Sequence, residues 1–193
     1  RMILKRQDRS VRNQLLLGLI FGLLSISGTY TGIAVQGAVV NTRVVSTVAA
    51  GLVGGPISGV CAGLLSGVHR YLYDPHGFTS LACAVGTFCF GVIGALGFRI
   101  YSRRRRDTVD LVLLTVTAEL VQCVLILALA HPFSAAVELE HTILLPKMLV
   151  NSVGLISFMH ILDRLNRDLT LELAEDESLN YLNTLCVSGN YLY

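Results

Sequence analysis

The sequence predicts an all-α fold: a polytopic transmembrane helix bundle with a broken, glycine-rich hairpin. Three observations predict it. Hydrophobic residues make up 53% of the 193 positions and charged residues 15%, against roughly 25% charged in a soluble domain. Residues 13–42, 44–69 and 75–98 hold no Asp, Glu, Lys or Arg, and each run exceeds the ~18–20 residues a helix needs to cross a bilayer. The basic residues gather in short segments beside these runs. A soluble enzyme, a secreted disulfide scaffold and a disordered regulator are excluded. The cysteines at 61, 83, 89, 123 and 186 form no C-x-x-C, and the first four lie in apolar runs, so free thiols are expected. No signal peptide is expected, because the apolar run after the basic segment is too long and lacks a small-residue cleavage site.

The elements follow in order. A first span is expected at 14–35. Residues 44–68 form a second apolar stretch, interrupted at Gly54-Gly55-Pro56. Further spans are expected at 78–98, 111–130 and 143–162, with 71–77 and 131–142 as outer loops. After Asp163 the chain becomes charged and mildly amphipathic, with Leu165, Leu169 and Leu173 on one helical stripe, which reads as a helix leaving the membrane.

Short loops rich in Lys and Arg stay cytoplasmic. Arg1, Lys5, Arg6, Arg9 and Arg12 precede the first span, Arg99 and the arginines at 103–106 follow the third, and Arg164 and Arg167 follow the fifth. A single crossing by 44–68 would put the last two clusters outside, whereas a stretch that enters and returns keeps all three inside. Gly54, Gly55 and Pro56 suit a reversal. Each arm of about 11–12 residues makes roughly 17 Å of helix, too short for a full span. Two short or re-entrant helices are therefore expected, with the turn at membrane depth, where irregular backbone persists only inside protein or along a cavity. Gly55, Gly59, Gly63 and Gly67 leave one face of the return arm bare. That face suits close helix packing and also leaves room for a ligand.

The hairpin brings Asn41-Thr42-Arg43 and His69-Arg70 together at the outer side. Two guanidinium groups at the mouth of an apolar pocket suit a carboxylate or phosphate, gripped bidentately. Snorkelling to outer headgroups is the competing role. Glu119 is the only acid inside an expected span. Burial favours its neutral form, hydrogen-bonded to Gln122 or Asn151, either as a polar clamp between helices or as a switch. Lys147 near the outer end of the last span either snorkels or adds charge to the pocket. His76, His131 and His141 lie in outer loops at spacings that match no metal-ligand motif, so neither metal nor cofactor is expected. The arginines at 103–106 read as a topology anchor on anionic lipid, and no nucleic-acid partner is expected.

The ordered block Asn41-Thr42-Arg43, Gly54-Gly55-Pro56, the glycine ladder to Gly67 and His69-Arg70 resembles the membrane domain of LytS-type sensors, a five-transmembrane receptor family. Ala118-Glu119-Leu120-Val121-Gln122, Leu145-Pro146 and Val150-Asn151-Ser152-Val153-Gly154 resemble its later helices. The likeness covers roughly residues 14–165. It implies the input domain of a bacterial two-component histidine kinase. Some relatives sense pyruvate, through arginines matching Arg43 and Arg70 and a cysteine matching Cys83. Two departures stand out. A pyruvate-sensing relative has Ser where this chain has Gly86, and relatives carry one more helix before the basic stretch.

The division expected is then a basic cytoplasmic segment at 1–12, a transmembrane sensor domain at 13–165 and a cytoplasmic linker or tail at 166–193. The expected function is an inner-membrane receptor that binds a small anion such as pyruvate from outside, with both chain ends cytoplasmic. Arg43, Arg70, Cys83, Asn41 and His69 are the candidate ligand residues, and Glu119, Gln122 and Asn151 the intramembrane polar set. The phosphoacceptor His and ATP-binding motifs of a kinase are absent from the sequence, so no enzyme is expected in this chain alone. The expected partners are lipid, a second copy, and a kinase domain and response regulator reached through the longer protein. The rival readings are a small substrate-binding subunit of a vitamin-type transporter and a purely structural dimerisation bundle.

Overall fold

The computed structural model describes residues 10–35, 38–101 and 107–189. Its elements are α1 Val11–Tyr30, β1 Ile33–Val35, β2 Ala38–Val40, α2 Arg43–Gly54, α3 Pro56–Tyr73, α4 Ser80–Tyr101, α5 Thr108–Leu129 and α6 Phe133–Gly189. The expected all-α polytopic bundle is what forms. α1, α4, α5 and Phe133–Glu175 of α6 are each long and apolar enough to cross a membrane. Leu15, Leu16, Leu19, Ile20, Leu23 and Leu24 of α1 are exposed, an apolar surface that suits lipid rather than water. Asp8–Phe158 form one compact unit, and Met159–Tyr193 belong to a second. In the second unit α6 presents Leu165, Leu169 and Leu173 as exposed side chains. The basic clusters at 1–9 and 103–106 lie outside the described residues.

The first span ends earlier than expected. Ile33–Val35 and Ala38–Val40 instead form a small antiparallel ribbon, with Ile33 opposite Val40; β-branched residues favour such a pleated pair.

The hairpin is present, with its break at Gly55. This residue has φ +94°, a region open to glycine and strained for other residues. Pro56 then occupies the first turn of α3, where its missing N–H leaves no bond unmade. The Gln14 side-chain oxygen accepts from the backbone N–H of Ile57 at 3.3 Å, capping α3 from α1. Gly55 thus sits beside Gln14 at the start of α1 and Phe98 near the end of α4. The turn lies at one end of the bundle, not at mid-depth as expected. The arms are also unequal. α2 has 12 residues, but α3 has 18, about 27 Å of helix, because it continues through the expected 71–77 loop to Tyr73.

Glycines set the packing of this hairpin. Gly51 of α2 meets the backbone of Gly94 and Ala95, whereas Gly59, Gly63 and Gly67 of α3 meet Gly91, Phe88 and Ala84. Val48 also meets Gly94 and Leu52 meets Gly97, so residue numbers rise together between α2 and α4, whereas they oppose between α3 and α4. α2 therefore runs parallel to α4, and α3 antiparallel to it. α1 completes the layer. Gly18 and Gly22 face Cys61 and Leu65 of α3, and Ser25 Oγ lies 3.1 Å from Thr47 Oγ1 of α2.

α5 begins at a capping box, in which Asp107 donates its backbone N–H to Asp110 Oδ2 at 3.1 Å. α6 begins at Phe133, about ten residues before the expected fifth span. Glu138, Glu140 and His141 therefore lie on a helix rather than in an outer loop. Phe158 of α6 packs edge-on against Phe21 of α1, with centroids 5.9 Å apart.

A Cβ at Gly91 would overlap the Gly59 carbonyl. Gly91→Val should cost about 1–3 kcal/mol and lower the thermal midpoint of the detergent-solubilised protein. At Gly28 the nearest atom to an added Cβ is 3.5 Å away, so Gly28→Ala should leave the midpoint unchanged or slightly raised. Equal losses at both positions would count against backbone contact between α3 and α4.

Candidate anion-binding site

Arg43 opens α2 and Arg70 lies in the last turn of α3, at the end of the hairpin away from Gly55. Both are buried, at 2% and 1% exposure. Asn41 orients the first of them. Its Oδ1 accepts from Arg43 Nε at 2.8 Å and from the Arg43 backbone N–H at 3.2 Å. Arg43 Nη1 and Arg70 Nε and Nη1 have no hydrogen-bond partner. Among the described residues neither arginine is ion-paired with a carboxylate. The two guanidinium groups lie close enough to feel each other's charge. Buried like charges with idle donors are costly unless something anionic meets them.

Cys83, one turn into α4, lies within hydrogen-bonding reach of Arg43, and its Sγ accepts from Gln122 Nε2 at 3.3 Å. Gly86 has a packing role here: a Cβ would stand 3.0 Å from Gln122 Oε1, so the missing side chain gives Gln122 room to reach the thiol. Arg43, Asn41, Cys83, Gln122, Glu119 and Lys147 all line one small cavity, whose apolar wall includes Phe90 and Ile126.

Arg70 does not line it, and neither does His69. Its Nε2 lies 3.2 Å from the Tyr30 hydroxyl, and its ring packs with Tyr30 and Tyr73 at centroid distances of 5.6 and 6.2 Å. It belongs to an aromatic cluster between α1 and α3.

On the opposite wall Asn151 Nδ2 donates to Glu119 Oε1 at 2.6 Å, so Asn151 is the expected partner and Gln122 is not. Lys147 Nζ sits 3.2 Å from Glu119 Oε2 and 3.6 Å from Glu140 Oε1. Glu119 thus has Asn151 as a hydrogen-bond donor to Oε1 and Lys147 within ion-pair distance of Oε2. Lys147 is buried and does not snorkel. Glu140, absent from the expected site, is a further buried acid. Glu140, Lys147 and Asn151 share one face of α6 at spacings of seven and four. Such helical spacing was readable once α6 is known to start at Phe133.

The family model described as "5TMR of 5TMR-LYT" matches residues 1–165. The sensor histidine kinase BtsS of Escherichia coli (strain K12) is 38% identical over 149 residues, which is 75% of this chain and 26% of that protein. The sensor protein LytS of Bacillus subtilis (strain 168) is 34% identical over 185 residues, 86% of this chain and 31% of that protein. The sensor histidine kinase/phosphatase LytS of Staphylococcus aureus (strain bovine RF122 / ET3-1) is 30% identical over 177 residues, 82% of this chain and 30% of that protein. No solved structure matches the chain. The chain spans about a quarter to a third of the length of these relatives. With the family model covering most of its length, this chain belongs to the five-transmembrane receptor family of LytS-type sensors.

Proposed function

We propose that this membrane domain binds a small anion, such as pyruvate, from the outer side of a bacterial inner membrane and signals to a cytoplasmic histidine kinase. The observation that carries this reading is the pair of buried arginines with idle donors, Arg43 and Arg70. A carboxylate supplies two oxygens and one charge, the complement of a guanidinium fork. Asn41 and Cys83 hold Arg43 in place, and Cys83 and Gln122 contribute polar atoms to the cavity. His69 braces the outer end of α1 against α3.

The cavity is small, about 20 Å³, little more than one water molecule requires. A three-carbon acid enters only if the walls move apart. Those walls come from the start of α2, the start of α4, the middle of α5 and α6. A ligand that binds the opened packing better than the closed one shifts the population toward it, and α6 carries the change toward 166–193. The leucine stripe at 165, 169 and 173 suits a homodimer in that segment. The kinase domain and response regulator are reached through the longer protein.

Calorimetry on the purified chain with pyruvate and other small carboxylates tests the site. Arg43→Ala and Arg70→Ala should each weaken binding about ten- to a hundredfold, roughly 1.5–3 kcal/mol. The double variant should lose little more than either single one, because both groups grip the same carboxylate. Arg→Lys should rescue poorly, since an ammonium cannot form the fork. Equal binding by the wild type and both single variants would remove the site.

Orientation has its own check. In a background without native cysteines, Thr42→Cys and Leu72→Cys, both at exposed positions, should be labelled by a membrane-impermeant thiol reagent from the outer side. Labelling of either from the cytoplasm alone would reverse the domain.

A further inference from the structure

We infer that Glu119, Glu140 and Lys147 set the charge of the anion that the arginine site accepts, restricting it to a single negative charge. The inference rests on the anion-site reading above and extends it to the opposite wall. Arg43, Lys147 and Glu119 open on the same cavity, and Arg70 lies close to Arg43. Lys147 bridges Glu119 on α5 and Glu140 on α6.

A clamp between α5 and α6 needs one acid for one lysine. This wall has two acids on one lysine. Asn151 donates to Glu119, and the Cys123 thiol lies beside Glu140, but neither brings a positive charge. With all three groups ionised, the wall carries one net negative charge. Across the cavity stands Arg43, with Arg70 behind it and outside the cavity lining; among the described residues neither is ion-paired with a carboxylate, so the five groups sum to a single positive charge. In a low-dielectric interior an uncompensated charge is expensive, and its field reaches across several ångströms. One monovalent anion brings the sum to zero. A divalent anion leaves an excess negative charge beside Glu119. The acids therefore act at a distance, as specificity-determining residues. Lys147 holds both of them and supplies the positive charge that keeps the balance above zero.

The test uses the full chain in lipid nanodiscs, with pyruvate and acetate as monovalent probes and malonate and oxaloacetate as divalent ones, at matched ionic strength. Glu140→Gln raises the net charge by one and should shift the divalent-to-monovalent affinity ratio upward by about tenfold. Glu119→Gln should shift it the same way. Lys147→Met removes the excess positive charge and should weaken pyruvate binding by about tenfold or more. Combining Lys147→Met with Glu140→Gln restores the original sum and should recover much of the pyruvate affinity. A purely structural wall would give no recovery. An unchanged ratio in both acid variants, or a double variant no better than Lys147→Met, would overturn the inference. If Lys147→Met does not fold, the ratio in the two acid variants decides. Arg43→Ala serves as the reference. If it abolishes binding while the ratio never moves, the arginine site stands and the charge-setting wall falls. If Arg43→Ala binds as the wild type does, the site itself is wrong.

Discussion

Backbone contact between α3 and α4 is the constraint on which the rest of the site depends. Gly59 meets Gly91, Gly63 meets Phe88 and Gly67 meets Ala84, so the two helices approach as closely as main chains allow. In lipid there is no hydrophobic force between helices, and such contact substitutes for it through dispersion and fit. The antiparallel register it fixes carries Arg70, one turn past Gly67, toward the start of α4, where Cys83 sits. Gly51 against Gly94 and Ala95 does the same for α2, and brings Arg43 to the same end. A side chain at any of these contacts would separate helices whose closeness holds the polar residues in one small space.

The charges in that space are paired unevenly. The two arginines have idle donors and no acid, whereas Lys147 has two acids within 3.6 Å. Arginine stays charged under all ordinary conditions, so the hairpin side of the cavity is permanently positive. Pairing Glu119 or Glu140 directly with an arginine would have lowered the cost of burying that arginine and left it fewer idle donors. Placing Glu119 and Lys147 across the cavity from Arg43 moderates the positive field while Arg43 Nη1 and Arg70 Nε and Nη1 keep idle donors.

The pattern of apolar runs and basic clusters made the helix bundle legible, and charge parity with Gly54-Gly55-Pro56 made the reversal legible. The depth of the turn was not. Segment length was counted from the apolar residues alone, and Tyr71, Leu72 and Tyr73 were read as loop although they finish α3. The Gln14 side chain that caps Ile57 is a tertiary contact 43 residues away in sequence, with no local signal. The early start of α6 was hidden for a related reason. Glu138, Glu140 and His141 depress the hydropathy of its first turns, so the segment read as a polar loop and Glu140 escaped notice. Arg43 and Arg70, with Asn41 beside them, were legible because unusual residues flank a motif, whereas Cys83 came only through the family resemblance. The partners of Glu119 were legible only as a choice between Gln122, one turn away on α5, and Asn151 on α6, and only the packing of α5 on α6 decides between them.

Lys147 stands on the helix that continues to Gly189, and the residue before it is Pro146. Proline has no N–H to offer the carbonyl four residues back, here that of Thr142, and its ring crowds that carbonyl. The backbone of α6 is therefore least tied together next to the residue that joins it to α5. On the anion-site proposal, an anion at the arginines would attract Lys147 and repel Glu119 and Glu140, and so would pull against both ion pairs at once. A response to that pull would fall on the turn around Pro146, where one helical hydrogen bond is missing and bending costs least. A buried charge network and a weakened helical turn are thus adjacent in sequence, on the one element that leads from the cavity toward the far end of the chain.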